Sequence, residues 1–164
     1  STSRRQRQMC IRDRGSKTLK NDCLARFSIP YESGTLEAVS YDAADHEIGR
    51  CKLQSAGGAT SLTLDAEEPA AQTGHLCYVR LRYTDENGIT KPLMRGNIQV
   101  QVRGGTLVGL GSACPFNKHS YLDSETDTYY GEALAIVRMG DGDAMTIAAS
   151  DGEYSAELTV SAQA

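Results

Sequence analysis

Alternation is the clearest pattern along the chain. From His75 to Thr84 one face carries Cys77, Val79, Leu81 and Tyr83, and the other carries Tyr78, Arg80 and Arg82. A period of two with one apolar face is the mark of a half-buried antiparallel strand. The same period sets Ile98, Val100 and Val102 against Gln99, Gln101 and Arg103, and Met145, Ile147 and Ala149 against Thr146, Ala148 and Ser150. It returns in Ala156, Leu158 and Val160 against Glu157 and Thr159, and Leu62 and Leu64 mark an earlier strand. Turn formers punctuate these runs: Asp85-Glu86-Asn87-Gly88, Gly140-Asp141-Gly142-Asp143 and Asp151-Gly152. No segment holds an amphipathic helical period through three turns. About seven short, evenly punctuated strands in roughly a hundred residues predict an all-β fold, an immunoglobulin-like antiparallel β-sandwich over residues 59–164.

Upstream of this the pattern thins. Thr35 to Tyr41 and Glu47 to Leu53 read as strands joined through Asp42-Ala43-Ala44-Asp45, and Phe27-Ser28-Ile29-Pro30 reads as a short strand stopped by proline. Two or three strands cannot bury a sandwich core by themselves. Ser55-Ala56-Gly57-Gly58 reads as a linker, so residues 24–58 form a second segment. Residues 1–23 are polar and basic without apolar periodicity; they are expected to be a disordered or non-native tail, RRQRQMCIRDRG having the look of a translated cloning or sequencing scar.

The stretch from Thr106 to Gly140 departs from this rhythm. An apolar run, Leu107 to Leu110, ends at Gly111-Ser112, and a second begins after Tyr129-Tyr130-Gly131 and runs from Ala133 to Val137. Between them lies a polar excursion of about fifteen residues, long for a compact domain. Its flanks read LGSACP and TDTYYGEALAIVR. With SIPYESGTLEAVSYD, EIGRCKL and YVRLRYTDENG upstream, they resemble the last sandwich domain of glycoside hydrolase family 2 enzymes, the beta-galactosidase-like group. In that group a GSA-x-P loop and a T-x-YYG-x-ALA-[IV]-VR strand occur in this order. The resemblance covers Phe27 to about Val160, and the tail lies outside it. It implies that residues 24–58 are the closing strands of a preceding β-sandwich domain. It also implies that both catalytic glutamates of the parent belong to a (β/α)₈ barrel earlier in the chain; no strand–helix alternation of that kind occurs here.

Charge and composition narrow the partners. The net charge of −4 over 164 residues is uneven. Residues 1–20 hold seven Lys/Arg and one acid, a local +6, which leaves ten basic and twenty acidic residues beyond them, a net −10. A folded part that acidic repels phosphates, so nucleic acid is not an expected partner, and no aromatic residue is interleaved with the arginines of the tail. No apolar run approaches the roughly twenty residues that cross a bilayer, and the basic start is not followed by the apolar stretch of a secretory signal. Cys10, Cys23, Cys51, Cys77 and Cys114 are widely spaced and odd in number, without C-x-x-C. Free thiols favour a reducing compartment such as a bacterial cytoplasm.

Candidate chemistry is sparse. Asp123, Glu125 and Asp127 alternate like calcium ligands, but an EF-hand needs Gly at the sixth position and Glu at the twelfth, and Thr128 and Leu134 stand there. Ser112 lies in Gly111-Ser112-Ala113, which does not satisfy G-x-S-x-G. His75 reads as a strand-end residue, and His46 and His119 read as solvated loop residues. The glycines at Gly104-Gly105 and Gly109-x-Gly111 lack the Lys-Ser/Thr of a phosphate loop. No acid pair is marked as a glycosidase couple. No catalytic, metal-binding or cofactor-binding residue is therefore expected, and no cofactor. The expected role is a non-catalytic accessory domain of a glycosidase of carbohydrate metabolism, bracing its barrel or active-site rim. The expected contact residues are Pro115, Phe116, Asn117, Tyr121, Tyr129 and Tyr130: Pro115 stiffens the loop, and Phe116 and Tyr121 offer apolar area among polar groups such as Asn117. The partners are then the other domains of the parent, with carbohydrate reached only through the intact enzyme. The alternative is a bacterial immunoglobulin-like adhesion or carbohydrate-binding module, for which the absence of Trp leaves only tyrosines as a stacking platform.

Overall fold

A computed structural model describes residues 5–9, 13–18 and 24–163, and every regular element among the described residues is a β-strand. The chain forms two compact units, Ser1–Ser55 and Ala56–Ala164.

In the first unit, β1 (Arg5–Met9), β2 (Asp13–Thr18), β3 (Thr35–Tyr41) and β4 (Glu47–Gln54) form one antiparallel sheet in the order β2-β1-β3-β4. The β3–β4 turn is closed by Asp42, whose Oδ1 accepts the Ala44 and His46 N–H groups at 2.8 and 2.9 Å. Within residues 1–23, expected to be a disordered or non-native tail, β1 and β2 are paired strands. A ladder needs only backbone N–H and C=O groups, so a segment with no apolar period still pairs with an open strand edge, here that of β3. Residues 1–4, 10–12 and 19–23, with Cys10 and Cys23 among them, lie outside the described residues. The short strand expected at Phe27–Pro30 does not form: Pro30 has no N–H to donate, and the segment joins no ladder.

The second unit is a two-layer sandwich. One sheet has the order β5-β7-β11-β9, from Ser61–Ala66, Leu76–Thr84, Glu132–Met139 and Gly105–Gly111. The other has the order β10-β8-β12-β13-β6, from Glu125–Asp127, Asn97–Arg103, Ala144–Ser150, Ser155–Ala162 and Ala70–Ala71. The first strand is shared between layers: β5 pairs antiparallel with β7, and after Pro69 the chain crosses to pair as β6, parallel to β13. With β7 and β11 in one sheet and β8, β12 and β13 in the other, this is the immunoglobulin-like arrangement.

The alternation read from the sequence fills the core. Val79, Leu81 and Tyr83 of β7 meet Ile98 and Val100 of β8 and Met145 and Ile147 of β12 in one buried cluster. The chain changes sheet between β8 and β9 within a single residue, Gly104, whose φ is +74°. A Cβ there would stand 2.4 Å from the Ala144 carbonyl oxygen, so only glycine turns this corner.

Two carboxylates organise the sandwich ends. Asp85, buried after β7, accepts the Asn87 and Ile89 N–H groups on Oδ1 and the Gly57 N–H on Oδ2 at 2.6 Å. Asp151, in the β12–β13 turn, accepts the Glu153 and Tyr154 N–H groups on Oδ1 and the buried Tyr83 hydroxyl on Oδ2. The Gly57 hydrogen bond is the leading cause that holds Asp85 below the usual carboxylate range. Burial opposes ionisation of Asp151 most, yet its hydrogen bonds still hold it low; burial and the facing carboxylate push the Tyr83 phenol far up.

Candidate functional site

The excursion after β9 is tied down along its length. The Leu110 N–H donates to the Tyr121 carbonyl and the Val100 N–H to the Ser124 carbonyl, each at 2.8 Å. Asp123 Oδ2 accepts the Ser120 N–H at 2.8 Å and closes a tight turn. The chain then forms the short strand β10 on the edge of β8, which the sequence pattern missed because three residues carry too little alternation to register. Thr126 and Thr128 are buried, and Thr128 exchanges hydrogen bonds with Gly96.

A two-residue hairpin follows, with Tyr129 bridged to Glu132 and Tyr130 and Gly131 at φ +50° and +75°. Two successive positive φ values are those of the primed turn that matches strand twist, where Asn-Gly is the usual choice. Tyr130 pays a steric penalty of about 1 kcal/mol to sit there. Its ring packs edge-on against Tyr129, centroids 4.5 Å apart, and the neighbouring Tyr130 phenol is the main cause that raises the Tyr129 phenol above its usual range.

The six expected contact residues separate into groups. Phe116 is 86% exposed, Tyr130 63% and Tyr121 61%; Pro115 is exposed as well, while Asn117 and Tyr129 are half-buried. Tyr121 is both anchored and open: a Cβ on Gly111 would lie 2.4 Å from its ring, so the glycine makes the seat. Gly111 faces outward opposite Leu134 of β11, and Leu134 is itself exposed. Two exposed side chains, Leu122 and Leu93, were not anticipated; single leucines in polar loops give no periodic signal. Backbone of Lys91 and Pro92 packs on Gly131, which places the β7–β8 loop beside the tyrosine hairpin.

His119 is not the solvated loop residue that spacing suggested. Its Nδ1 stands 3.4 Å from Glu125 Oε1 and its Nε2 3.1 Å from Asn97 Nδ2, which also donates to Asp127 Oδ1 at 3.2 Å. Glu125 and Asp127 lie two apart on β10 and so share a face; Asp123, occupied with Ser120, does not join them. His46 likewise meets Asp42, Nδ1 to Oδ2 at 3.2 Å. Ser112 Oγ is buried and finds no hydrogen-bond partner among the described residues. The cluster at His119 is a clamp between the loop and the β8–β10 edge, and the region presents outward the aromatic and apolar side chains Phe116, Tyr121, Leu122 and Tyr130 among exposed polar ones such as Lys118, Asp123 and Asp127.

Residues 61–159 match the family model of the glycoside hydrolase family 2 C-terminal domain 5. No curated protein sequence matches the chain. Among solved structures it is similar to a glycosyl hydrolase family 2 member from Bacteroides cellulosilyticus, with a TM-score of 0.87 and 25% identity over 96% of this chain and 23% of that one. It shares the fold of a beta-glycosidase from Bacteroides vulgatus, with a TM-score of 0.83 and 18% identity over 96% of this chain and 21% of that one. It also shares the fold of a beta-glucuronidase from glycoside hydrolase family 2, with a TM-score of 0.76 and 14% identity over 97% of this chain and 17% of that one. The chain spans a quarter or less of the length of each.

Proposed function

The chain belongs to the glycoside hydrolase family 2 C-terminal domain 5 family, and on that premise we propose that it is a non-catalytic accessory region of a larger beta-galactosidase-like glycosidase. In this reading the sandwich supplies no group to bond cleavage and braces the catalytic barrel or its active-site rim. The excursion after β9, with the tyrosine hairpin, is the contact surface. Carbohydrate is met by the intact enzyme.

The observation that carries the proposal is the exposure of Phe116, Tyr121 and Tyr130 on a backbone that is otherwise fixed. Exposed rings on ordered backbone make good anchors, because little further ordering is needed when a partner covers them. Tyr130 strengthens the point: it is held at φ +50° against its own backbone preference, and strained positions of this kind cluster at functional sites.

Tyr130→Asn tests this. In the chain alone the change relieves the turn and raises unfolding stability by about 1 kcal/mol. In the full-length protein it removes an anchor and lowers the thermal midpoint or the turnover. A full-length protein that gains stability with unchanged turnover would show that Tyr130 contacts nothing there, and the contact surface would have to be placed elsewhere.

A further inference from the structure

Ser55-Ala56-Gly57-Gly58 has the composition of a free linker, which behaves as flexible coil. In the structure both of its ends are anchored. Within the first unit, the Ser55 N–H donates to the Gly34 carbonyl at 2.8 Å. Ser55 Oγ accepts the Gly34 N–H and meets the Tyr31 hydroxyl, each at 3.2 Å. Within the second unit, the Gly57 N–H donates to Asp85 Oδ2 at 2.6 Å. The Glu86 carboxylate lies so close that a Cβ on Gly57 would stand 2.4 Å from its Oε1. The Lys91 ammonium then donates to the Gly58 carbonyl, the Ala59 carbonyl and Thr60 Oγ1 at 3.0, 2.7 and 2.9 Å. An ammonium has three donors, and those of Lys91 all go to consecutive residues of this one segment. A surface lysine ordinarily keeps its head in water. Lys91 is instead half-buried, and its backbone is held on both sides: its N–H donates to the Tyr83 carbonyl at 2.8 Å, and its carbonyl accepts the Met94 N–H at 3.0 Å.

We infer that residues 57–60 are a strap clamped to the second unit by Asp85 and Lys91, and that the pivot of the chain between the two units is confined to Ala56. Between the anchorages at Ser55 and Gly57, Ala56 has no hydrogen bond among the described residues. The main soft torsions left are therefore its φ and ψ, and a residue with a Cβ has only a few allowed regions to visit. Hinges elsewhere spread their change over several loop residues; here the strap removes all but one. Charge-assisted hydrogen bonds from Lys91 and to Asp85 are the stronger kind, which suits them to hold exposed main chain. Gly57 is then a glycine for close approach to Glu86 rather than for flexibility. The strap fixes the direction in which the chain enters β5.

Backbone ¹⁵N relaxation of the chain tests this, because order parameters report fast motion residue by residue. The inference expects values near about 0.85 at residues 57–60, as in rigid backbone, with any dip confined to Ala56. Lys91→Met keeps the length of the side chain and removes its three donors. In that variant the order parameters of residues 58–60 should fall below about 0.6, while those of β7 and β11 stay unchanged. A second measurement needs no variant: the Gly57 amide of the unaltered chain should exchange with solvent at least about tenfold more slowly than in an unstructured peptide of the same sequence. Low order across residues 55–60 of the unaltered chain would make the segment a free linker and overturn the inference. So would a Gly57 amide that exchanges at the peptide rate, or a Lys91→Met variant whose strap stays as ordered as before.

Discussion

In the second unit, β7 buries Cys77, Val79, Leu81 and Tyr83 beneath a facing sheet; in the first, all eight residues of β4 are exposed. Both strands are regular and both are paired. The difference lies in layering, not in strand quality. Where two sheets face each other, alternation becomes a core, and the unit holds Ile98, Met145 and Ile147 at no exposure. Where one sheet stands alone, backbone pairing persists and Val39 is the one fully buried apolar residue among those described. Strand pairing sets local structure, whereas stability comes from the second layer.

The largest effect expected from this contrast comes from truncating matched leucines. Leu81→Ala removes a fully buried side chain and should cost the second unit about 2–5 kcal/mol, while Leu53→Ala in the chain alone should stay within about 0.5 kcal/mol. Chemical denaturation of the two variants checks this, and a comparable loss for both would erase the distinction between the units.

Removing the tie between the sheets should come next. Tyr83→Phe leaves the Asp151 carboxylate without the hydroxyl it accepts from and should cost about 1–3 kcal/mol. The same carboxylates make the second unit acid-sensitive. Asp85 and Asp151 are held below their unfolded values, so their contribution is fully present above the unfolded carboxylate range. It is lost as pH falls through the lowered native values. Thermal midpoints measured across pH 2–6 should fall steeply below about pH 4, and less steeply in Asp85→Asn. An unchanged acid slope in that variant would show that Asp85 does not carry the effect.

The smallest effect sharpens the comparison from the other side. Deleting residues 1–18 removes β1 and β2, and should leave the unfolding of the second unit unchanged while altering hydrogen exchange in β3. Unaltered exchange in β3 would show that these strands do not protect it in solution.

The sandwich was legible in the sequence because its evidence is periodic: each inward set on β7, β8 and β12 repeats over several positions, and the turns between them carry Asn, Asp and Gly. What escaped was made of short or aperiodic features. β6 and β10 are two and three residues long, below any alternation count. β1 and β2 carry no apolar period to read. The clamp at His119 joins groups from a loop, β8 and β10 that lie up to 30 residues apart, and no local spacing announces it. Phe116, Tyr121, Tyr129 and Tyr130 were visible as large side chains in a polar stretch, but the seat of Tyr121 on Gly111 and the positive φ of Tyr130 are matters of three dimensions.

The central claim is that this chain is an accessory part of a glycosidase whose chemistry lies elsewhere in the parent. Turnover of chromogenic beta-galactosides and beta-glucuronides tests it most directly, measured side by side for the purified chain and for the full-length protein, both free of host glycosidases. The account predicts hydrolysis by the full-length protein, with the galactoside preferred, and none by the chain. Turnover by the chain alone, or a full-length protein inactive on every glycoside offered, would contradict it.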